Sequence, residues 1–209
     1  VAVACDVTKR ADVERLRKRV ADEFGGLDIL VNNAGIPGGG AFLDLSLKRI
    51  EEVTKVDYLS VLYCTKIMLP LMLGQGRGHV VNVASLAGRF ATPGAPVYAA
   101  AKHAVVALSE ALYYELEPKG ILVTAVNPGF VQTEGFPHHD LDPRLVMKPE
   151  RVARAILMVL RRGIAPEMSV PRWISPLQLF RVATPPLYRW GVRRMAGAAV
   201  RPASPGPDS

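Results

Sequence analysis

Apolar positions fall along this chain in two modes. Short, nearly unbroken runs at Val1–Cys5, Leu27–Val31, His79–Val83 and Ile121–Val126 have strand length and no polar alternation. They predict strands covered on both faces. Glu167–Val170 predicts a last strand. Between these runs the spacing turns helical. Val13, Leu16, Val20 and Phe24, with Arg15, Lys18 and Asp22 opposite, predict a helix over Asp12–Phe24 that Gly25-Gly26 closes. A long helical stretch covers Ser46–Leu73, with Leu69-Pro70 near its end. Another helix, entered through Pro93–Pro96, carries Tyr98 and runs to about Leu116, where Pro118 and Gly120 end it. A further helix starts at Pro149, with Val152, Ile156, Val159 and Leu160 at core spacing. Strands alternating with helices predict an α/β domain, doubly wound around a mostly parallel sheet. That domain is expected over residues 1–171, with a cap or interfacial segment over 172–201 and a disordered tail over 202–209.

The stretch Asn82–Lys102 holds the densest chemistry. Tyr98 and Lys102, four apart on a helix, share one face. Ser85 sits at the end of the preceding strand, so the three can converge. A phenol with a pKa near ~10 is a poor acid or base alone. An ammonium beside it favours the phenolate. A serine hydroxyl can donate to an oxygen becoming an alkoxide. Such a set polarises a carbonyl and exchanges a proton with its oxygen, but it holds no electron donor, so a hydride has to come from a cofactor.

Together with Asp6-Val7, Asn32-Asn33-Ala34-Gly35, and Asn127-Pro128-Gly129 followed by Thr133, these residues stand in an order and spacing that resembles the short-chain dehydrogenases/reductases, single-domain branch. The likeness is close over residues 1–165. It implies reversible hydride transfer between NAD or NADP and an alcohol/carbonyl pair. It implies that Tyr98 is the acid/base, that Ser85 orients the carbonyl, and that Lys102 holds the ribose and lowers the tyrosine pKa. Asp6 and Val7 are implied at the adenine. Asn32, Ala34 and Gly35 brace or line the cofactor pocket, with Pro128, Gly129, Val131 and Thr133 at its nicotinamide end. The family often has an asparagine where this chain has Asp57, serving a proton-relay water through its backbone carbonyl, so Asp57 is a further candidate catalytic residue. Homodimers or homotetramers are implied through the Ser46–Leu73 and Tyr98–Leu116 helices. A non-catalytic nucleotide sensor on the same fold and an epimerase or dehydratase are the alternatives. The Ser–Tyr–Lys set argues against the first, and the absence of a larger C-terminal substrate domain against the second.

The family opens with a glycine-rich turn, T-G-x-x-x-G-x-G, which holds the pyrophosphate at a helix N-terminus. No such run occurs in these 209 residues. The expectation is that about 50–60 residues, a first strand–helix–strand–helix portion, are missing. In the family's sheet order, 3-2-1-4-5-6-7, Val1–Cys5 would be the third strand without its neighbour. The 209 residues alone are therefore expected to be poorly soluble or to bind dinucleotide weakly.

Composition narrows the rest. Half the residues are hydrophobic (49%) and 22% are charged, which suits a globular core. Cys5 and Cys64 form no framework and no CxxC, so a reducing compartment, the cytoplasm, is expected. The net charge of +7 is uneven: residues 1–143 carry 14 basic and 16 acidic side chains, residues 144–209 carry 12 and 3. No nucleic-acid motif accompanies the excess. In the segment 172–195, Arg172, Arg181, Arg189, Arg193 and Arg194 alternate with Trp173, Phe180, Leu187, Tyr188 and Trp190. This predicts either a substrate cap or subunit contact, or weak contact with an anionic membrane surface. Leu86, Phe90 and these aromatics point to an apolar substrate. His138, His139 and Asp142, in the polar loop Phe136–Lys148 that closes over substrate in the family, match no strong metal spacing.

Overall fold

The computed structural model describes residues 1–91, 93–132 and 146–199. Four parallel strands form one sheet in the order β1-β2-β3-β4: β1 Ile29–Asn32, β2 Gly78–Val83, β3 Ile121–Pro128 and β4 Glu167–Val170. These are the strands that the resemblance numbers fourth to seventh. The helices are α1 Arg10–Phe24, α2 Leu47–Thr54, α3 Ser60–Gln75, α4 Pro96–Leu116, α5 Pro149–Arg162, α6 Ser175–Ala183 and α7 Pro185–Ala199.

The period-two alternation of strand side chains divides the core between two faces. Val80, Ile121 and Val123 meet Met72 of α3 and Leu116 of α4. Val81, Val126 and Met168 meet Val152, Ala155 and Val159 of α5. Helices on both faces explain why β2 and β3 read as continuous apolar runs. The doubly wound α/β arrangement follows from this layering.

Two expected elements differ. Val1–Cys5 joins no β-ladder. A strand needs a neighbour to take its backbone N–H and C=O groups, and the described residues supply none; Cys5 and Val7 instead pack beside Val13, Cys64 and Met68. Cys5 is thus half-buried. The sheet ends at β1, where Ile29 and Val31 are 46% and 41% exposed. The second difference lies in Ser46–Leu73. The path is helical from Leu47 to Gln75 but widens to a π-helical turn at Lys55–Leu59. A π-turn inserts one extra residue and re-aims the side chains around it. Here it turns Asp57 fully into the interior. By length and mean hydropathy (1.4) this path could cross a membrane. Its packing against the sheet and its buried carboxylate identify it as a core helix.

Under α5, His79 is buried on β2, and its Nε2 lies 2.8 Å from Thr124 Oγ1. Thr124 spends its own proton on the Ile164 carbonyl at 2.6 Å, so His79 Nε2–H is the donor. Burial pushes the imidazole down to about 4. A folded pKa below the unfolded ~6.5 means the neutral ring stabilises the fold above that pH, and the contribution is lost as pH falls toward 4. Its size is on the order of 3 kcal/mol. Urea unfolding of the protein at pH 7 and at pH 4.5 is expected to show this loss, and His79→Gln to flatten it. Equal pH dependence in parent and variant would contradict the assignment.

Candidate active site

The C-terminal ends of β1, β2 and β3 and the first turns of α4 converge on one place. Ser85 leaves β2 in extended conformation (φ −167°) and begins the 3-10 turn Leu86–Gly88, its hydroxyl accepting from Ala87 N at 3.1 Å. That turn rests on α4: a Cβ on Gly88 would stand 2.7 Å from the Lys102 carbonyl oxygen. Glycine is required there for contact rather than for conformation. The contact sets Ser85 beside Tyr98, close enough for its side chain to pull the phenol pKa down. Lys102, one turn on and almost fully buried, has its ammonium 5.6 Å from the Tyr98 ring centre. The three residues singled out in the sequence thus meet.

The fourth, Asp57, meets them by a different route than expected. Its side chain reaches the site as well: Oδ1 lies 3.1 Å from Lys102 Nζ. Ile36 N–H donates to the same carboxylate at 3.3 Å. Lys102 also donates to the Val83 carbonyl at 3.2 Å. Two of its three N–H donors are therefore engaged within the protein. Gly35 makes room for the pair, since a Cβ there would stand 2.9 Å from Asp57 Oδ1 and 3.5 Å from Lys102 Nζ. Gly38 is wedged against the Tyr98 Cβ in the same way, at 2.8 Å.

Burial pushes the Asp57 carboxyl up, against the pull of Lys102. Tyr98 departs from expectation in sign. Burial raises its phenol, the Ser85 hydrogen bond lowers it, and the Asp57 charge raises it, for a net shift upward. Lys102, the expected source of a lowering, is paired with the Asp57 carboxylate.

The remaining predicted residues divide. Asn32 is buried and donates to Asn82 Oδ1 at 2.7 Å and Thr65 Oγ1 at 3.0 Å, and Asn82 donates to Ser109 at 2.9 Å. It braces β1 against β2 and α3. Ala34 and Gly35 are exposed at the end of β1. Pro128 ends β3, Gly129 N–H donates to the Val170 carbonyl at 2.9 Å, and Val131 bridges to Met147. Asp6 accepts from Thr8 N–H at 3.0 Å and pairs with Lys9 at 3.2 Å, while Val7 is half-buried near Val13. Thr133, His138, His139 and Asp142 lie outside the described residues.

Sequence reading missed a second network. Arg89, four residues after Ser85, forms a two-pronged pair with Glu167 of β4. Asn127 Nδ2 joins Glu167 at 2.5 Å, and Gln178 of α6 approaches it at 3.4 Å. Arg181 of α6, expected on an interfacial face, turns inward to the Arg89 carbonyl and His103. The partners of Arg89 and Arg181 are 78 to 92 residues away, so no local pattern announces them.

A nicotinamide nucleotide fits this end of the sheet: among the described residues Lys102 keeps one N–H unengaged, and the Ser85 and Tyr98 hydroxyls stand next to it. Among the described residues there is no glycine-rich pyrophosphate turn.

A protein-family model described as short chain dehydrogenase matches residues 1–142. An uncharacterized oxidoreductase of Staphylococcus aureus (strain MRSA252) is 35% identical over 158 residues, covering 76% of this chain and 68% of that protein. A 3-oxoacyl-(acyl-carrier-protein) reductase of Synechocystis sp. is 34% identical over 163 residues, 75% of this chain and 66% of that one. The crystal structure of a short-chain dehydrogenase from Streptomyces avermitilis superposes with a TM-score of 0.77 at 25% identity, over 95% of this chain and 80% of that chain.

The Gly88 contact is testable. Gly88→Ala is expected to destabilise the fold by about 1–3 kcal/mol through overpacking on α4. Gly74→Ala, where nothing lies within 4 Å, is expected to be neutral or stabilising. Urea midpoints compare the two, and equal effects would contradict the packing argument.

Proposed function

The chain belongs to the short-chain dehydrogenase/reductase family of oxidoreductases, and from that premise we propose that it interconverts a carbonyl and an alcohol with NAD or NADP. The observation that carries this reading is the convergence of Ser85, Tyr98 and Lys102 on one point. When bound, the nicotinamide supplies or accepts the hydride. The protein's own part is to hold and move a proton. Ser85 donates to the substrate oxygen and fixes it beside Tyr98. The Tyr98 hydroxyl gives its proton to that oxygen as an alkoxide forms, and takes one back in the reverse direction. The remaining Lys102 N–H would hold the ribose, with Ala34 and Gly35 lining its approach.

An apolar substrate suits the surroundings. The Phe90 and Tyr188 rings lie 6.4 Å apart between the Ser85 loop and α7. Phe130 is partly exposed at the end of β3. The reading extends to partners: a second copy across α3 and α4, where Leu73 and Tyr114 are exposed, and an anionic membrane surface beside α6 and α7, where Trp173 and Leu187 are exposed near Arg172 and Arg189. The unbonded thiols of Cys5 and Cys64 suit a cytoplasmic protein.

The full-length protein assayed with NADH and NADPH against a panel of apolar ketones is expected to turn over. Tyr98→Phe is expected to lose about 100-fold or more in kcat, because only the proton-exchanging hydroxyl is deleted. Cofactor affinity by calorimetry should stay within a few-fold. A Tyr98→Phe variant as active as the parent would overturn the assignment.

A further inference from the structure

We propose that Asp57 acts as a positioning residue whose carboxylate claims the Lys102 ammonium and so keeps Tyr98 in its proton-carrying form, poised to reduce carbonyls rather than to oxidise alcohols. The statement about direction rests on the role given to Tyr98 above. The statement about the proton on Tyr98 stands without it.

Where the family often has a neutral asparagine, this chain has a carboxylate, and the π-turn delivers it, fully buried, to the lysine next to the tyrosine. The charged groups facing this cluster come from three elements. Lys102 rises from α4, Asp57 from the π-turn, and Arg49 from α2. Arg49 acts on Asp57 at longer range and is itself 3.2 Å from Glu52. Among the described residues, the end of β2 and the turn after it bring neutral groups, the Val83 carbonyl and the Ser85 hydroxyl.

The sign follows from charge. With Asp57 ionised, Lys102 protonated and Tyr98 neutral, the buried cluster carries no net charge. Removing the phenol proton leaves one uncompensated negative charge away from water, which is costly. With asparagine at position 57 the same loss takes the cluster from +1 to neutral. The phenolate is therefore harder to form in this chain than in an Asp57→Asn variant. The direction found for Tyr98, raised first by burial and further by the Asp57 charge, agrees. Carbonyl reduction uses the protonated phenol as the acid, and its proton passes to the substrate oxygen. Alcohol oxidation needs the phenolate as the base. An ion pair that keeps the phenol protonated at neutral pH thus favours reduction there, and pushes the oxidation limb to higher pH.

The test is a titration of the full-length protein by tyrosinate ultraviolet absorbance. Subtracting the curve of Tyr98→Phe isolates Tyr98 from the other tyrosines. Asp57→Asn, made with and without Tyr98→Phe, is expected to lower the Tyr98 midpoint by about one pH unit or more. Asp57→Ser makes the same charge change if the asparagine variant does not fold. A midpoint that stays, or rises, in the folded neutral variant overturns the proposal. This readout needs neither cofactor nor substrate. A lowered midpoint with no turnover on any ketone would sustain the inference while defeating the proposed function. Ordinary turnover with an unmoved midpoint would do the reverse. With an active substrate, the pH profile of alcohol oxidation is expected to move to lower pH in Asp57→Asn by the same amount.

Discussion

A carboxylate and an ammonium held 3.1 Å apart, both nearly out of contact with water, organise the functional end of this molecule. Removing two charges from water costs several kcal/mol per ion, and attraction offsets that only when the geometry is good and the other hydrogen-bonding positions are filled. Here each ion has a further partner besides the other. Ile36 N–H donates to Asp57, and the Val83 carbonyl accepts from Lys102. These bonds tie the end of β1, the π-turn and the end of β2 to α4. The small residues nearby follow from the same pair, since the Gly35 Cβ position is already taken by Asp57 and Lys102. A feature read from the resemblance as room for a cofactor is thus also room for an ion pair.

Two further polar networks keep that end rigid. Asn32, Asn82 and Ser109 run through the interior from β1 to α4 and fix the register of the sheet beneath the site. Glu167, Arg89, Asn127, Gln178 and Arg181 connect the loop after Ser85 with β4 and α6. Through the second network, the segment that follows the sheet is tethered to the loop that carries Ser85. The outward aromatics of this segment do not take Arg181 with them.

Much of this was legible in the sequence because it is local. Tyr98 and Lys102 are one helical turn apart, and the strands β2 and β3 are apolar on both faces because helices cover both. Three kinds of information were not local. The state of Val1–Cys5 depends on a neighbouring strand rather than on its own composition. The π-turn at Lys55–Leu59 is one extra residue per turn, invisible in a periodicity that continues on either side. The upward shift of Tyr98 comes first from its burial in the folded chain, with the Asp57 charge adding to it. A spacing of four residues brings the lysine to the tyrosine, but an aspartate 45 positions upstream of that lysine pairs with it. The resemblance pointed to position 57 for its backbone, and the side chain there makes an ion pair that it did not announce.

The coupling between Asp57 and Lys102 tests this account most directly. It is measured by a double-mutant cycle of unfolding free energies for the full-length protein, using Asp57→Asn, Lys102→Met and the two together. If the pair is the interaction on which this end depends, each single change strands a buried polar or charged partner and the double change removes both. The predicted result is non-additivity of more than about 1 kcal/mol, with the double variant less destabilised than the sum of the singles. Additive effects within about 0.3–0.5 kcal/mol would contradict it.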